Sequence, residues 1–427
     1  MMIKKLFLII CLLALPLSVF GQGKTLQYII GGSSDSPAND GTTEYAGLMG
    51  EGNALWAVEI ERTQIIPTSG KLSDFKVGVV TAPGAGKSWT FTIRKNGADT
   101  SLSASIAGTA VLTSLDTDEV AVSPGDTVCI SATGTGTPAA TPVHWTVKFT
   151  PDTAGETILM CSNQNWATSV PRYVTLIGNK TIDLGRFDGQ TLFPTSGTLK
   201  SFYCVINTAP GAGTSRTFKI EKNGTDSDIA ITIAETDTTG NDVVNSLVIA
   251  AGDQLTIKFT GVTGAPASTI AHFGIVFVPN TPNEWFTSAT TDDDLNTSQT
   301  EFQHLTCGDS TLGNTPGPAY TLAQATTAKA IYVALSLDPG ISPDAYSFTL
   351  RRNAETDTNL TVTITANDKT GNYAEDVDIS ADDLLTTKIT PLNTPSATPA
   401  SQIAYLFYNS PSNNTINNAT LNNCVIR

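Results

Sequence analysis

The chain has 427 residues, a formal net charge of −15 and a charged fraction of only 15%. A surface this acidic repels phosphate backbones, which argues against nucleic acid as a partner. The same charge keeps an exported protein soluble. Uncharged small and polar residues (Thr, Ser, Asn, Gly and Ala) dominate the remainder, as is typical of exported β-proteins and fibres.

The beginning of the chain indicates export. Lys4 and Lys5 precede an apolar stretch from Leu6 to Leu17, which is the pattern of a signal peptide and is too short for a lasting membrane anchor. We predict cleavage after Gly21 and an extracellular or cell-surface location for the mature chain. No later segment of the sequence is apolar enough to span a membrane.

One long segment occurs three times. Thr81–Asp99 returns nearly residue for residue as Thr208–Asp226 and more faintly as Asp338–Asn353. Its shared proline recurs after 127 and then 129 residues, which indicates a domain-sized repeat. The predicted organisation is a signal peptide at 1–21, repeats at 22–152, 153–281 and 282–410, and an Asn-rich tail at 411–427. The short linkers predict a semi-rigid row of domains.

The repeated segment predicts a β-hairpin. Phe91 and Ile93 alternate with polar residues up to Asn96-Gly97, a pair that favours a type I′ turn, and apolar residues alternate again on the way back. The second copy has Asn223-Gly224, whereas the third has a longer loop after Asn353. Alternation over such runs indicates antiparallel sheets with one buried face. We therefore predict an all-β protein of three tandem antiparallel β-sandwich, jelly-roll-like domains.

The last strand of each repeat predicts a stripe of core residues. The stripe is Trp145, Val147 and Phe149 in repeat 1, Phe273, Ile275 and Phe277 in repeat 2, and Leu406 and Tyr408 in repeat 3. His144 and His272 flank it, with Tyr405 in their place in the third copy. Alternation predicts that both histidines are exposed, either as ordinary surface residues or as part of a ligand-contact face.

Two further patterns concern turns and cysteines. The motif Pro-Thr-Ser-Gly, which reads as a turn feeding a strand, occurs at 67–70 and 194–197 and is lost in the third copy. Five cysteines follow the predicted signal peptide. We predict one disulfide between Cys307 and Cys424, which would tie the tail to repeat 3, and another between Cys161 and Cys204 within repeat 2, which leaves Cys129 alone. The alternative is that all five are reduced and buried. None lies in a Cys-x-x-Cys pair that would indicate zinc.

Few residues suggest chemistry, and neither enzymatic activity nor a cofactor is expected. Gly84–Ser88 lacks the first glycine and the helix of a phosphate-binding loop. Acidic loops at 116–119, 235–242 and 367–372 suggest calcium as an alternative to plain turns. Trp89 and Trp166 are candidate platforms for stacking a sugar ring, although Trp89 aligns with Arg216 and Tyr346, and packing in the core is the alternative.

The run Ala82–Asp99, followed by Gly-Asp-Thr-Val at 125–128, resembles a β-sandwich repeat of uncharacterised exported and phage tail or fibre-like proteins. The resemblance covers repeats 1 and 2 well and repeat 3 weakly, and it implies no catalytic residues. A signal peptide favours a bacterial exported protein over a virion component. We expect a structural or adhesive protein that self-associates or contacts other surface proteins. The alternatives are glycan binding and a fibre or decoration subunit of a particle or filament.

Overall fold

The computed structural model of the protein describes most of the chain. The described residues are 26–33, 42–50, 58–164, 171–181, 185–263, 269–308, 312–317, 320–353 and 356–410. The predicted signal peptide and the Asn-rich tail lie outside these ranges.

Repeat 1 forms two sheets that face each other. Its elements are β1 (Gln27–Gly32), β2 (Glu44–Ala46), a 3₁₀ turn (Glu59–Glu61), β3 (Gln64–Ile65), β4 (Gly70–Val79), β5 (Gly84–Lys95), β6 (Ala98–Gly108), β7 (Val120–Val122), β8 (Thr127–Thr135) and β9 (Val143–Pro151). One sheet has the order β1-β9-β4-β7, and the other has the order β2-β8-β5-β6 with β3 beside β8.

Repeat 2 has the same arrangement with one additional edge strand. Its strands are β10 (Thr157–Gln164), β11 (Arg172–Val174), β12 (Gly178–Thr181), β13 (Thr191–Leu192), β14 (Gly197–Ile206), β15 (Gly211–Lys222), β16 (Thr225–Glu235), β17 (Thr239–Ile249), β18 (Gln254–Thr263) and β19 (Ala271–Pro279). The sheet orders are β12-β10-β19-β14-β17 and β11-β18-β15-β16, with β13 beside β18.

Repeat 3 again forms two sheets. Its strands are β20 (Glu284–Thr290), β21 (Glu301–Gln303), β22 (Thr321–Leu322), β23 (Thr326–Leu335), β24 (Ala345–Arg352), β25 (Thr356–Thr365), β26 (Thr370–Ile379), β27 (Leu384–Leu392) and β28 (Ser401–Tyr408). The sheet orders are β20-β28-β23-β26 and β21-β27-β24-β25, with β22 beside β27.

The predicted fold class is confirmed. Every repeat has one sheet that contains its first and last strands, which we call the first-strand sheet, and one that contains the central hairpin, which we call the hairpin sheet. The strands of each sheet come from alternating parts of the repeat, as in the two Greek keys of a jelly roll. Three antiparallel sandwiches therefore follow one another along the chain.

The central hairpins turn as predicted. Asn96 and Gly97 have φ angles of 52° and 77°, and Asn223 and Gly224 have 50° and 82°, which are the positive values of a type I′ turn. Asn353 in repeat 3 keeps the positive φ of 51°. In all three repeats this asparagine donates from Nδ2 to the aspartate of the Gly-Asp or Asp-Asp turn that precedes the last strand but one. The asparagine thus joins two turns and is the part of Asn-Gly that repeat 3 retains.

The core stripes of repeats 1 and 2 are confirmed, but that of repeat 3 is shifted by one residue. Ile403, Tyr405 and Phe407 are fully buried in the core of repeat 3. The prediction of Leu406 and Tyr408 is wrong because this strand is apolar on both faces, so alternation does not define which face is inside. The outward face of the strand is itself largely buried.

The three repeats close into a ring, so the predicted row of domains is wrong. The short strand beside the hairpin sheet of each repeat packs on the first-strand sheet of the next: β3 on β10, β14 and β19, β13 on β20, β23 and β28, and β22 on β1 and β9. We call these contacts junctions 1–2, 2–3 and 3–1. The approach is close, since a Cβ added to Gly274 would lie 2.2 Å from the Ile65 carbonyl oxygen.

Equivalent segments of the repeats meet near the centre of the ring. A Cβ added to Gly178 would lie 2.5 Å from the Gly308 amide nitrogen and 2.8 Å from the Gly50 carbonyl oxygen. Gly50 in turn lies against the backbone of Thr306. Gly50, Gly178 and Cys307 end the same aromatic-led segment in the three repeats, and each comes from a different sandwich. The ring therefore has an approximate threefold axis, although it consists of one chain.

Candidate functional site: the junctions between repeats

His272 lies inside junction 1–2. Its ring is fully buried on β19 beside the backbone of Thr63 from repeat 1, and burial lowers its pKa to about 4. A cleft of about 370 Å³ opens here between Val58, Ile60 and Val205, but the ring presents no surface to solvent. The predicted exposure is wrong because repeat 1 covers the outward face of the sheet. The imidazole is neutral at neutral pH.

His144 occupies the corresponding place in junction 3–1. It is buried on β9, and a Cβ added to Gly78 would lie 2.2 Å from its Nε2. Burial, and secondarily the nearby His304 of repeat 3, lowers the pKa of His144 to about 3. His304 is fully buried as well. The predicted exposure of His144 is therefore also wrong, and neither histidine forms part of an open ligand-contact face.

Gln402 is the residue of repeat 3 that corresponds to His144 and His272. The prediction that Tyr405 fills this position is wrong. The strand register of β28 against β23 places Gln402 where the two histidines lie in the other repeats. Its Nε2 donates to the Phe187 carbonyl oxygen at 2.6 Å, and its Oε1 accepts from Gln254 Nε2 at 2.9 Å. Both partners belong to repeat 2. One polar residue of each last strand therefore points into each junction.

The Pro-Thr-Ser-Gly motif bonds to the next repeat. Thr68 donates to Glu156 at 2.6 Å, and Thr195 donates to Glu284 at the same 2.6 Å. Each glutamate directly precedes or begins the first strand of the following repeat, and we call this contact the Thr–Glu bridge. The motif is the turn that the sequence predicts, but its threonine is also an interface residue. The signal for this role was the 128-residue spacing of the glutamates.

Junction 3–1 has different polar contacts. Leu26 occupies the position of the bridging glutamate. The loop that carries the bridging threonine is one residue shorter in repeat 3, where Gln324 and Ala325 stand in place of Pro-Thr-Ser, so the bridge is absent here. Lys76 forms an ion pair with Asp382 at 2.5 Å. Asn409 Nδ2 donates to the Leu26 carbonyl oxygen at 2.7 Å, which brings the end of repeat 3 beside the start of repeat 1.

Trp89 is a core residue and cannot serve as a sugar platform. Its ring is fully buried, and Nε1 donates to the Ala139 carbonyl oxygen at 3.1 Å. The equivalent Tyr346 is fully buried too, and its hydroxyl donates to the Ala397 carbonyl oxygen at 2.8 Å. Arg216 is likewise buried. In repeats 1 and 3, the side chain at this variable position therefore forms a hydrogen bond to the loop before the last strand.

The predicted disulfide between Cys161 and Cys204 is wrong. Both thiols are buried and unbridged, and β19 separates their strands since both residues pair with Phe273. Two strand spacings are about 9 to 10 Å, whereas a disulfide needs Cα atoms within about 7 Å. Cys307 is buried, but its predicted partner Cys424 lies outside the described residues. Trp166, the second candidate platform, also lies outside them.

Two of the three acidic loops use a carboxylate to hold backbone amides. Asp116 accepts the Ser103 amide at 2.8 Å, and Asp242 accepts the equivalent Ala230 amide at 3.0 Å. Hydrogen bonds of this kind, from Asn245, Ala230 and Val244, lower the pKa of Asp242 against the opposing effect of burial. Within the described ranges, no group of three or more His, Cys, Asp or Glu side chains is placed to hold a metal ion.

The acidic and basic members of one ion pair occupy swapped positions in repeats 1 and 2. Arg94 on β5 binds Glu59 at 2.8 Å, whereas at the equivalent positions Glu221 on β15 binds Arg186 at 2.7 Å. In both repeats the guanidinium lies over the tyrosine that leads the second strand segment. No motif or alternation pattern of the sequence predicts this pair. Its signal is that both positions change sign at a spacing of 127 residues.

Comparison with protein-family models and with curated proteins gives no match for this chain. Across the described residues, no helix has the length and apolar character needed to cross a membrane.

Proposed function

We propose that this is an exported, non-enzymatic structural or adhesive protein that acts in a cell-surface or extracellular assembly. The observation that carries the proposal is the closure of three sandwiches into one block. A ring with buried junctions gives a compact rigid unit, whereas flexible linkers would give a string of independent binding modules.

The state of the reactive side chains supports a structural role. His144 and His272 are buried and neutral because burial depresses their pKa values to about 3 and about 4. Burial raises the pKa of Cys129, Cys161 and Cys204. Neutral buried imidazoles and protonated buried thiols are poor general bases and nucleophiles near neutral pH. These groups fit packing at cores and junctions better than catalysis.

Exposed aliphatic residues offer surfaces for assembly. Val244 and Val248 on the edge strand β17 are 88% and 71% exposed, and edge strands with apolar side chains are prone to pair with other chains. Ile341, in a loop of repeat 3, is 81% exposed. Sugar binding is less well supported, because Trp89 is buried.

Immunogold electron microscopy of native cells and their surroundings tests the proposal. We expect label on the surface or on extracellular layers or filaments, with a strain that lacks the chain as control. Label confined to the cell interior would overturn it. A glycan array with the purified mature chain is the complementary test, and selective binding of one sugar class would favour the carbohydrate-binding alternative.

A further inference from the structure

We infer that the ring opens at junction 3–1 and that repeat 3 of one chain then packs on repeat 1 of a second copy of the same chain. This inference deepens the proposed function by naming a partner for assembly, and it rests on that function for its biological role. The interface itself is already present within each chain, so exchange requires no new surface.

Junction 3–1 is the only one of the three that no linker holds together. Residues 152–156 connect β9 of repeat 1 to β10 of repeat 2, and residues 280–283 connect β19 of repeat 2 to β20 of repeat 3. A linker of four or five residues gives its two domains a high effective concentration, so junctions 1–2 and 2–3 re-form at once after any separation. The linkers hold repeats 3 and 1 together only through repeat 2, so a second copy competes most readily at junction 3–1.

The two surfaces that would separate are complementary and largely apolar. The β22 strand carries Leu322, which is fully buried, onto β1 and β9 of repeat 1. Nearby, Tyr28 of repeat 1 packs edge-on against Trp285 of repeat 3 at 5.9 Å between ring centroids. Opening would expose these apolar groups to water, which favours their reburial against a second chain.

The polar contacts also make junction 3–1 chemically distinct. It lacks the Thr–Glu bridge, because Leu26 replaces the glutamate, and it has the ion pair of Lys76 with Asp382. The side chain of Asp382 is 42% exposed, and such solvent-accessible pairs contribute little to stability. A repeat 3 from another chain therefore recognises repeat 1 without competing for the surfaces of junctions 1–2 and 2–3.

Cross-linking between two chains that each carry one added cysteine tests the exchange. One full-length chain carries Lys76→Cys, the other carries Asp382→Cys, and both carry Cys424→Ser so that the native cysteines of the described residues are the buried ones. The two chains are mixed, warmed to just below the melting midpoint, cooled and treated with a short bis-maleimide. We expect a product of two-chain mass that contains both variants.

A matched pair at a linked junction is the control. Chains with Thr68→Cys and Glu156→Cys alone place the reactive groups equally close within junction 1–2, but exchange at junction 3–1 leaves that contact within one chain. We expect no mixed product from this pair. A chain that carries both Lys76→Cys and Asp382→Cys must form the internal cross-link, which verifies the reagent and the fold.

Each possible result either supports the inference or overturns it. Mixed product from the 76/382 pair alone supports the inference. No mixed product from that pair, with the internal cross-link intact, overturns it, and so does mixed product from both pairs, because separation would then not be specific to junction 3–1. Either negative result leaves assembly through outer surfaces, which the microscopy tests, unaffected.

Discussion

Single residues show how the repeats diverged while keeping one fold. The Arg94–Glu59 pair of repeat 1 and the Glu221–Arg186 pair of repeat 2 occupy the same place with opposite orientation. In repeat 2, Lys258 adds contacts to Glu221 and Asp226. The charges therefore act as a local set, and changing one member alone leaves like charges in contact.

The charge arrangement of repeat 2, formed by Glu221, Arg186 and Lys258, can be introduced into repeat 1 by substitution. We expect Arg94→Glu alone to lower the unfolding free energy by about 2 kcal/mol, because Glu59 and Asp99 then face a third carboxylate. Adding Glu59→Arg should restore part of the loss, and adding Ser131→Lys, at the position of Lys258, should restore most of it. Urea denaturation measures the unfolding free energies of the single, double and triple variants. A further loss of stability with each added substitution would contradict the prediction.

The buried histidines predict a dependence of stability on pH. Their folded-state pKa values of about 3 and about 4 lie below the ordinary value of 6.5, so below pH 6.5 the unfolded chain binds protons that the folded chain does not. Stability is therefore complete above pH 6.5 and falls with acidification. Between pH 7 and pH 5 each histidine should remove about 2 kcal/mol.

The variant His272→Gln isolates this effect, because Gln402 fills the equivalent place in repeat 3. We expect its unfolding free energy to fall less than that of the wild type between pH 7 and pH 5, by the contribution of one histidine. Chemical denaturation at both pH values measures the difference. Equal changes in the unfolding free energy of the two proteins would mean that His272 is protonated in the folded protein at pH 5.

The glycine at the axis has a testable steric role. Gly178 has a φ of 83° and touches the backbone of both other repeats, whereas Gly213 has a φ of 70° and nothing within 4 Å of an added Cβ. Gly213→Ala should cost about 1 to 2 kcal/mol from backbone strain alone. Gly178→Ala adds the clash and should cost about 3 kcal/mol or more. Similar melting temperatures for the two variants would show that the repeats do not meet there.

Among the secondary-structure elements, the sequence predicted strands and hairpin turns well and the junctions poorly. Alternation around Asn96-Gly97 has a direct physical cause, since one face of each hairpin strand is buried in its own sandwich. The same alternation wrongly predicted His144 to be exposed. It shows which side chains face the core of their own sandwich, but not which outward side chains a neighbouring repeat covers. Burial by a neighbouring repeat depends on β3, β13 and β22, which have two residues each and no periodic signal.

The Thr–Glu bridge is the element-scale feature that distinguishes the junctions, and it can be installed where it is missing. A double variant, with Gln324-Ala325 replaced by Pro-Thr-Ser as at 194–196 and with Leu26→Glu, would reproduce the contact that Thr195 makes with Glu284. We expect the double variant to gain about 1 to 2 kcal/mol, because a hydrogen bond to a carboxylate replaces an unbonded pair. Leu26→Glu alone should give no gain. Thermal unfolding measures both, and equal stability of the single and double variants would contradict the bridge.

At the scale of the whole molecule, the ring brings the last described residue, Ser410, and the first, Leu26, to positions that a linker joins at the other two junctions. By strand register, Ser410 corresponds to Asp152 and Leu26 corresponds to Glu156. Asn409 already bonds to Leu26. Three residues, such as Thr-Ala-Gly copied from 153–155, should therefore join Ser410 to Leu26 without strain.

A circular permutant with that joint, and with new ends between Ala154 and Gly155, should fold with the same strand content. Its unfolding free energy should lie within about 2 kcal/mol of that of the chain 26–410, because loop closure is exchanged between equivalent sites. Circular dichroism and urea denaturation measure this. A row of domains could not accept the joint, since three residues span only about 10 Å, so failure to fold would argue against the ring.

The permutant also moves the unlinked junction from 3–1 to 1–2, and this predicts where its chains exchange. If the absence of a linker determines opening, mixed cross-links should now form between Thr68→Cys and Glu156→Cys chains and disappear for Lys76→Cys and Asp382→Cys chains. If the absence of the Thr–Glu bridge at junction 3–1 determines opening instead, the 76/382 pair should continue to exchange. The comparison therefore separates chain connectivity from side-chain chemistry as the cause of ring opening.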